Sequence, residues 1–284
     1  MRHGGRILVD QLARNGVELA FQVPGESFLA VLDALHDHPT IRTVTGRQEG
    51  GVAMMAEAVG KLTGRPGIAF VTRGPGATNA AAGVHVARQD STPMILFVGQ
   101  VPLAMRDREA FQEVDYRRMF APLAKWVAEI EDSRRIPEYV ARAFHLAMAG
   151  RPGPVVLGLP EDVLSREVEV ADAPPVMAAV PRAAPADAAA VAERLAGADR
   201  PLVLVGGGGW SAAASEALVR FAGAWEVPVA TAFRCQDHFD NRHPCYAGDL
   251  GIGADPELAT AVAESDLLLA VGTRLDEITT GGYR

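Results

Sequence analysis

Three glycine-rich turns, each directly behind a short apolar run, constrain this chain most. They are Val23-Pro24-Gly25-Glu26, Gly74-Pro75-Gly76-Ala77-Thr78-Asn79 and Gly206-Gly207-Gly208-Gly209-Trp210-Ser211. The runs before them, residues 19–23, 68–72 and 202–205, are short, rich in apolar side chains and bounded by turn residues, which reads as buried strand. Further runs of this kind are residues 41–45, 94–98, 123–127 and 155–159. Between most of them lie stretches of helical period, at 27–36, 48–62, 77–88 and 133–149. Strand, turn and helix in repeated succession predict an α/β fold: a parallel sheet with helices on both faces.

The alternation stops near residue 161 and restarts after a stretch rich in Pro and Ala that has no period of its own. The expected organisation is a first domain over 1–165, a linker over 166–185 and a second α/β domain over 186–284. The second domain predicts a helix near 187–196, a strand at 202–205, a helix at 211–225 and a strand at 227–230. A helix opening at Asp255-Pro256 and a strand at 267–271 follow. Asp can cap, and Pro at the first helical position gives up no needed N–H. Three strands form a small sheet with an unfinished edge, so this domain reads as truncated.

Charge narrows the partners. With 27 Lys and Arg against 35 Asp and Glu, the net charge is −8, which speaks against nucleic acid or an anionic membrane surface. No apolar run is long enough to span a bilayer, and the N-terminus lacks the apolar core of a signal peptide. Two cysteines, Cys235 and Cys245, are too few for a disulfide framework and are expected to be reduced thiols of a cytoplasmic protein.

Beyond the carboxyl end of a strand is where open α/β sheets bind ligands, and a helix N-terminus attracts anions. Neither obvious nucleotide motif is present. A dinucleotide fingerprint fails at its third glycine, with Asn79 in one turn and Ser211 in another, and no Gly-Lys-Ser/Thr exists for a phosphate loop. Glu49, in Gly46-Arg-Gln-Glu-Gly-Gly-Val-Ala-Met-Met, falls at a helix start directly after the strand at 41–45. Taken alone it reads as a carboxylate favoured by the helix dipole; beside two glycines it could instead share a proton with a ligand nitrogen.

Five segments together are more specific. Arg47-Gln-Glu-Gly-Gly51, Thr72-Arg-Gly-Pro-Gly-Ala-Thr-Asn79, Asp90-Ser-Thr-Pro-Met-Ile-Leu-Phe-Val-Gly-Gln100, Ala110-Phe-Gln-Glu-Val-Asp115 and Arg151-Pro-Gly-Pro-Val-Val-Leu157 resemble, in order and spacing, the acetolactate synthase branch of thiamine-diphosphate enzymes. Val205-Gly-Gly-Gly-Gly209, His243-Pro244 and Ala270-Val-Gly-Thr-Arg-Leu-Asp276 resemble the central domain of the same family more loosely. The resemblance implies a thiamine-diphosphate-dependent carboligase or decarboxylase acting on a 2-keto acid such as pyruvate. Glu49 would hydrogen-bond N1′ of the aminopyrimidine. Pro24, Gly25, Thr72, Pro75, Asn79 and Gln112 would surround the cofactor, and Phe111 with Gln112 would line the substrate. FAD is implied as a further cofactor, near Arg151, Gly207, Gly208, Thr231, Gly272, Arg274 and Asp276, and a homodimer or homotetramer as the assembly. The segments Gly251-Ile-Gly-Ala254 and Leu275-Asp-Glu-Ile-Thr279, and Glu26 after Gly25, depart from the anabolic synthases. The family holds Mg²⁺ and the diphosphate with Gly-Asp-Gly and a downstream Asn. Here Gly248-Asp249 is followed by Leu250, and the three asparagines are Asn15, Asn79 and Asn241. No metal ligand is therefore expected in this chain, which reads as the inactive N-terminal part of a longer enzyme. The alternative is a non-catalytic pyrimidine-domain-like module, or one subunit of a two-chain enzyme.

Overall fold

The computed structural model describes residues 1–179 and 181–283, and the chain divides into two units, Met1–Ala179 and Val180–Arg284. In the first unit the order is β1 (Arg2–His3), α1 (Gly4–Arg14), β2 (Leu19–Gln22), α2 (Leu29–His36), β3 (Arg42–Thr45), α3 (Glu49–Thr63), β4 (Gly67–Val71) and α4 (Pro75–Gln89). It continues through β5 (Met94–Gln100), α5 (Tyr116–Phe120), β6 (Trp126–Glu129), α6 (Ile136–Met148), β7 (Pro154–Pro160), α7 (Glu161–Ser165) and β8 (Glu167–Val168). Six of these strands form one parallel sheet in the order β3-β2-β4-β5-β7-β6.

The central strands β4, β5 and β7 are buried at every position, so they read as nearly continuous apolar runs, whereas the edge strand β3 leaves Arg42 and Thr45 exposed. Ile68, Phe70, Ile95 and Phe97 face the layer of α1, α2, α6 and α7, where Phe28, Phe70 and Phe97 stack with ring centroids 6.1 and 4.9 Å apart. Ala69, Val71, Leu96 and Val98 face α3, α4 and α5. On that side the helices ride close: a Cβ on Gly67 would overlap the Ala56 carbonyl, and one on Gly83 would overlap the Ala53 side chain. This close approach fixes α3 against both β4 and α4. From β2 the chain steps outward to β3, then returns across β2 to β4. That reversal makes the carboxyl ends of β2 and β4 the switch point of the sheet, the place where open sheets of this kind bind ligands.

Two features of this unit differ from what the sequence predicts. Helix α1 is not among the stretches of helical period that the sequence shows. Its buried face carries Gly4, Gly5 and Gln11 beside Ile7, Leu8, Val9 and Leu12, which blurs the period. The start of the stretch read as linker is docked on the first unit. β8 pairs antiparallel with β1, and Asp172 bonds Arg2 at 2.7 Å and Arg14 at 3.0 Å. Gln11 exchanges two hydrogen bonds with the Ala173 backbone, at 3.1 and 2.9 Å. The part of that linker at Val180 lies outside the described residues, as does Arg284 at the end of the second domain.

The second unit runs α8 (Pro185–Ala196), β9 (Pro201–Val205), α9 (Ala212–Trp225), β10 (Val229–Ala232), β11 (Tyr246–Leu250), α10 (Pro256–Glu264) and β12 (Leu267–Val271). Asp255 caps α10, accepting the Glu257 N–H at 2.7 Å. The sheet has four parallel strands, β11-β10-β9-β12, not three. The strand missed is β11, whose Gly248 and Asp249 are poor strand formers. Its switch point lies between β9 and β12. Among the described residues no helix is long and apolar enough to cross a membrane, and neither cysteine is in a disulfide.

Candidate active site

The carboxyl ends of β2, β3 and β4 bring together residues far apart in sequence. Glu49 is the first residue of α3. The preceding Gln48 turns its side chain back to accept the Gly51 N–H at 2.8 Å, which caps the helix and sets the direction in which Glu49 leaves it. Helix α4 begins at Pro75 after Gly74 and runs beside α3, so Asn79 arrives opposite Glu49 and donates from Nδ2 to Oε2 at 2.9 Å. Among the described residues no hydrogen bond reaches Oε1. That oxygen lies beside Gly76, where an added Cβ would come within 3.4 Å of it and 2.9 Å of Thr72 Cγ2. Gly25, at the end of β2, meets the Thr72 side chain so closely that any Cβ would overlap it. Thr72 Oγ1 and Ser27 Oγ are 2.8 Å apart, and Ser27 Oγ accepts the Arg73 N–H at 3.1 Å.

Of the residues singled out from the sequence, Glu49, Asn79, Gly25, Thr72 and Pro75 converge at this switch point, and Gln112 joins them from the segment after β5. Gln112 has φ 65° and its backbone carbonyl would lie 2.9 Å from a Cβ on Gly74. Pro24 is exposed in the turn. Phe111 stands 77% exposed, packed into no core. Arg151 is not part of this cluster. It donates from Nε to Ser91 Oγ at 2.8 Å, near the amino ends of β5 and β7, the opposite end of the sheet.

Two contributors had no signal in the sequence. Ser27 is one. The other is Tyr116, buried at the start of α5, whose hydroxyl accepts the Gly74 N–H at 3.1 Å and donates to the Gly99 carbonyl at 3.2 Å. Burial pushes this hydroxyl up to about 12, so it stays protonated and able to donate. Tyr116→Phe should cost about 1–3 kcal/mol by leaving two buried backbone groups unpaired. A urea titration of both proteins checks this, and equal midpoints would show that the hydroxyl is not needed.

In the second unit the glycine turns after β9 and β12 lie against each other: a Cβ on Gly207 would overlap the Gly272 carbonyl, and one on Gly272 would lie 2.6 Å from the Gly206 carbonyl. Beside them a cleft of about 520 Å³ is lined by Gly208, Trp210, Phe221, Leu269, Val271 and Gly272, among others. Thr231 is buried, donating to the Gly248 carbonyl and to Asp249 Oδ1, each at 3.4 Å. Arg274 pairs with Asp276 at 3.0 Å. Burial opposes the charge of Asp276, but the Thr279 N–H and the Arg274 guanidinium hold its carboxyl below the usual range. Among the described residues no group of three or more His, Cys, Asp and Glu side chains is placed to hold a metal ion.

Comparison with known proteins agrees with the two-domain α/β fold. Residues 2–119 match the thiamine pyrophosphate enzyme, N-terminal TPP binding domain, and residues 188–284 match the thiamine pyrophosphate enzyme, central domain. Thiamine pyrophosphate is thiamine diphosphate under another name. The probable acetolactate synthase large subunit of Methanocaldococcus jannaschii is 34% identical over 99% of this chain and 49% of its own length. The acetolactate synthase large subunit of Parasynechococcus marenigrum is 36% identical over 98% of this chain and 46% of its own, and that of Corynebacterium glutamicum 34% over 98% and 45%. The chain thus spans about half the length of the curated relatives it matches. It belongs to the thiamine pyrophosphate enzyme family, carries that family's N-terminal and central domains, and is similar along its length to acetolactate synthase large subunits.

Proposed function

We propose that this chain supplies the pyrimidine-binding side of a thiamine-diphosphate-dependent carboligase or decarboxylase that acts on a 2-keto acid such as pyruvate. The observation that carries the reading is the Glu49–Asn79 pair at the switch point, with Glu49 Oε1 beside Gly76. The residues fit an aminopyrimidine ring: Gly76 has no Cβ to crowd Glu49 Oε1, Gly25 lets its turn close on Thr72, and one carboxylate oxygen is left for a ring nitrogen. When bound, thiamine diphosphate supplies the electron sink for carbanion chemistry. Glu49 then shares a proton with N1′ of the ring, and Asn79 fixes which carboxylate oxygen does so. Thr72 and the Pro24-Gly25 and Pro75-Gly76 turns shape the site, and Phe111 and Gln112 present an apolar ring and an amide to the 2-keto acid.

The sequence carries no Gly-Asp-Gly with a downstream Asn, so Mg²⁺ and the diphosphate are assigned to a further domain, of the same polypeptide or of a partner chain. The 284-residue chain alone, given pyruvate, thiamine diphosphate and Mg²⁺, is expected to release no CO₂ above background. Clear turnover would overturn that assignment. Binding of the pyrimidine is tested separately by saturation-transfer NMR on the 2′-methyl protons of thiamine diphosphate; no transfer from the wild-type chain would overturn the reading itself.

For the second unit the reading is a nucleotide site of the FAD type at the Gly206–Gly209 and Gly272 turns. What supports it is the cleft of about 520 Å³ beside these turns, into which Gly208, Gly209 and Gly272 put no side chain. FAD fluorescence should be quenched on titration with the chain and not with Gly207→Val. Unquenched fluorescence with the wild-type chain would remove FAD from the reading.

A further inference from the structure

The segment between β5 and α5 takes three non-glycine residues into left-handed backbone in quick succession: Asp107 (φ 59°), Glu109 (φ 56°) and Gln112 (φ 65°). Residues with a Cβ disfavour this region and stay there only where their surroundings over-determine it. Here the surroundings are thin, because Asp107, Arg108, Glu109 and Phe111 are all exposed. One side chain reaches back across the segment. The Glu113 carboxylate accepts the Asp107 N–H through Oε1 at 2.8 Å and the Ala110 N–H through Oε2 at 3.2 Å. The Glu113 N–H donates in turn to the Ala110 carbonyl at 2.9 Å. The two ends are anchored independently. Arg106 pairs with Glu129 and Glu131, and Gln100 donates to the Val114 carbonyl at 2.9 Å.

We propose that Glu113 is the positioning residue of the Phe111–Gln112 turn. Its carboxylate fixes the left-handed course of residues 107–112, which holds the Gln112 backbone against Gly74 and leaves Phe111 projecting outward. Among the described residues Glu113 bonds only backbone of this segment and has no bond to Glu49, so it acts through the turn and not on reacting atoms. The functional half of the inference rests on the reading that this end of the sheet binds thiamine diphosphate. The physical cause is simple. Hydrogen bonds to an ionised acceptor are the strong ones, and two of them end on one side chain. Without the carboxylate both N–H groups turn to water and the left-handed residues relax.

The test is limited trypsin digestion of the whole chain at Arg108, inside the turn. Cleavage of a folded protein follows the population of the opened segment when reclosing is fast. Glu113→Ala should raise the cleavage rate about tenfold or more, since two charge-assisted bonds are lost. Glu113→Gln keeps one acceptor oxygen, can restore one of the two bonds, and should fall between. Glu109→Gln removes a charge from the same segment without touching either bond; because residue 109 follows the scissile bond, each rate is divided by that of the same protein unfolded in urea, and the ratio for Glu109→Gln should match the wild type. Thiamine diphosphate affinity, followed by saturation-transfer NMR, should fall several-fold in Glu113→Ala and recover in part in Glu113→Gln. Wild-type cleavage of Glu113→Ala would overturn the proposal, as would faster cleavage with unchanged cofactor affinity. If Glu113→Ala does not fold, the Glu113→Gln rate decides by the same criterion. Should the wild-type chain bind no thiamine diphosphate, the functional reading fails, and the cleavage ratio alone decides whether Glu113 fixes the turn.

Discussion

Glu49→Gln is expected to lower turnover about 10²–10⁴-fold in an enzyme that joins this chain to its diphosphate-binding domain, the range for loss of a general acid–base group. Folding should survive. The amide is nearly isosteric with the carboxyl, and the forfeited helix-dipole interaction is at most about 1 kcal/mol, a melting shift of about 3 °C or less for a unit of this size. The geometry also fixes which way the new amide turns. Asn79 Nδ2 donates to Oε2 at 2.9 Å, so the amide oxygen stays on the Asn79 side and the NH₂ takes the place of Oε1 beside Gly76. An NH₂ there can donate to a ring nitrogen but cannot pass it a proton. Two measurements decide together: the melting temperature, and exchange of the thiazolium C2 proton with solvent on bound cofactor. A folded Glu49→Gln protein that exchanges this proton at the wild-type rate would reduce Glu49 to a helix-start carboxylate and defeat the catalytic reading.

Much of the first sheet, and the end of it on which Glu49 falls, is legible in the sequence for reasons that can be named. The buried strands are short apolar runs bounded by turn residues, so β2, β4, β5 and β7 stand where expected to within two residues at each end. Glu49 and the glycine turns follow those strands directly, which fixes them at the carboxyl end of the sheet. What stayed hidden depends on partners distant in sequence. The β1–β8 pair joins Arg2 to Val168 and consists of two residues on each side, too short to leave a pattern. Strand β6 lies later than the apolar run that suggested it, because Phe120 and Ala124 are drawn into the core before the strand begins. Tyr116 looks in the sequence like an ordinary core aromatic. Only the fold shows its hydroxyl bridging Gly74 and Gly99. Sequence spacing suggested that Glu49 and Asn79 share a site through family likeness alone. The bond between them exists because Gly83 lets α4 lie against Ala53 of α3.

Gly74→Ala tests whether the fold and the site are one construction. Gly74 has φ 59° and ψ −109°, a region open only to glycine, and forcing a side chain there costs on the order of 1–3 kcal/mol. The new methyl would also lie 2.7 Å from Gln112 Cβ and 2.9 Å from the Gln112 carbonyl, a collision with backbone that adds about 1–3 kcal/mol of overpacking. The expected loss of stability is therefore about 2–5 kcal/mol, read from urea midpoints. Gly64→Ala is the control. Gly64 also has positive φ, 67°, at the end of α3, but nothing lies within 4 Å of its would-be Cβ. It should lose only the backbone term, about 1–2 kcal/mol. Equal losses at the two sites would mean that the contact with Gln112 carries no energy. The same substitution should reach the chemistry, because Gly74 leads into the helix that carries Asn79 and its N–H bonds Tyr116. Shifting this turn moves Asn79 relative to Glu49 and pushes Gln112 outward. In a folded Gly74→Ala protein, thiamine diphosphate affinity should thus fall well below that of Gly64→Ala. If the two affinities match, the turn supports the fold without shaping the site, and the grouping of Gly74 and Gln112 with Glu49 is wrong.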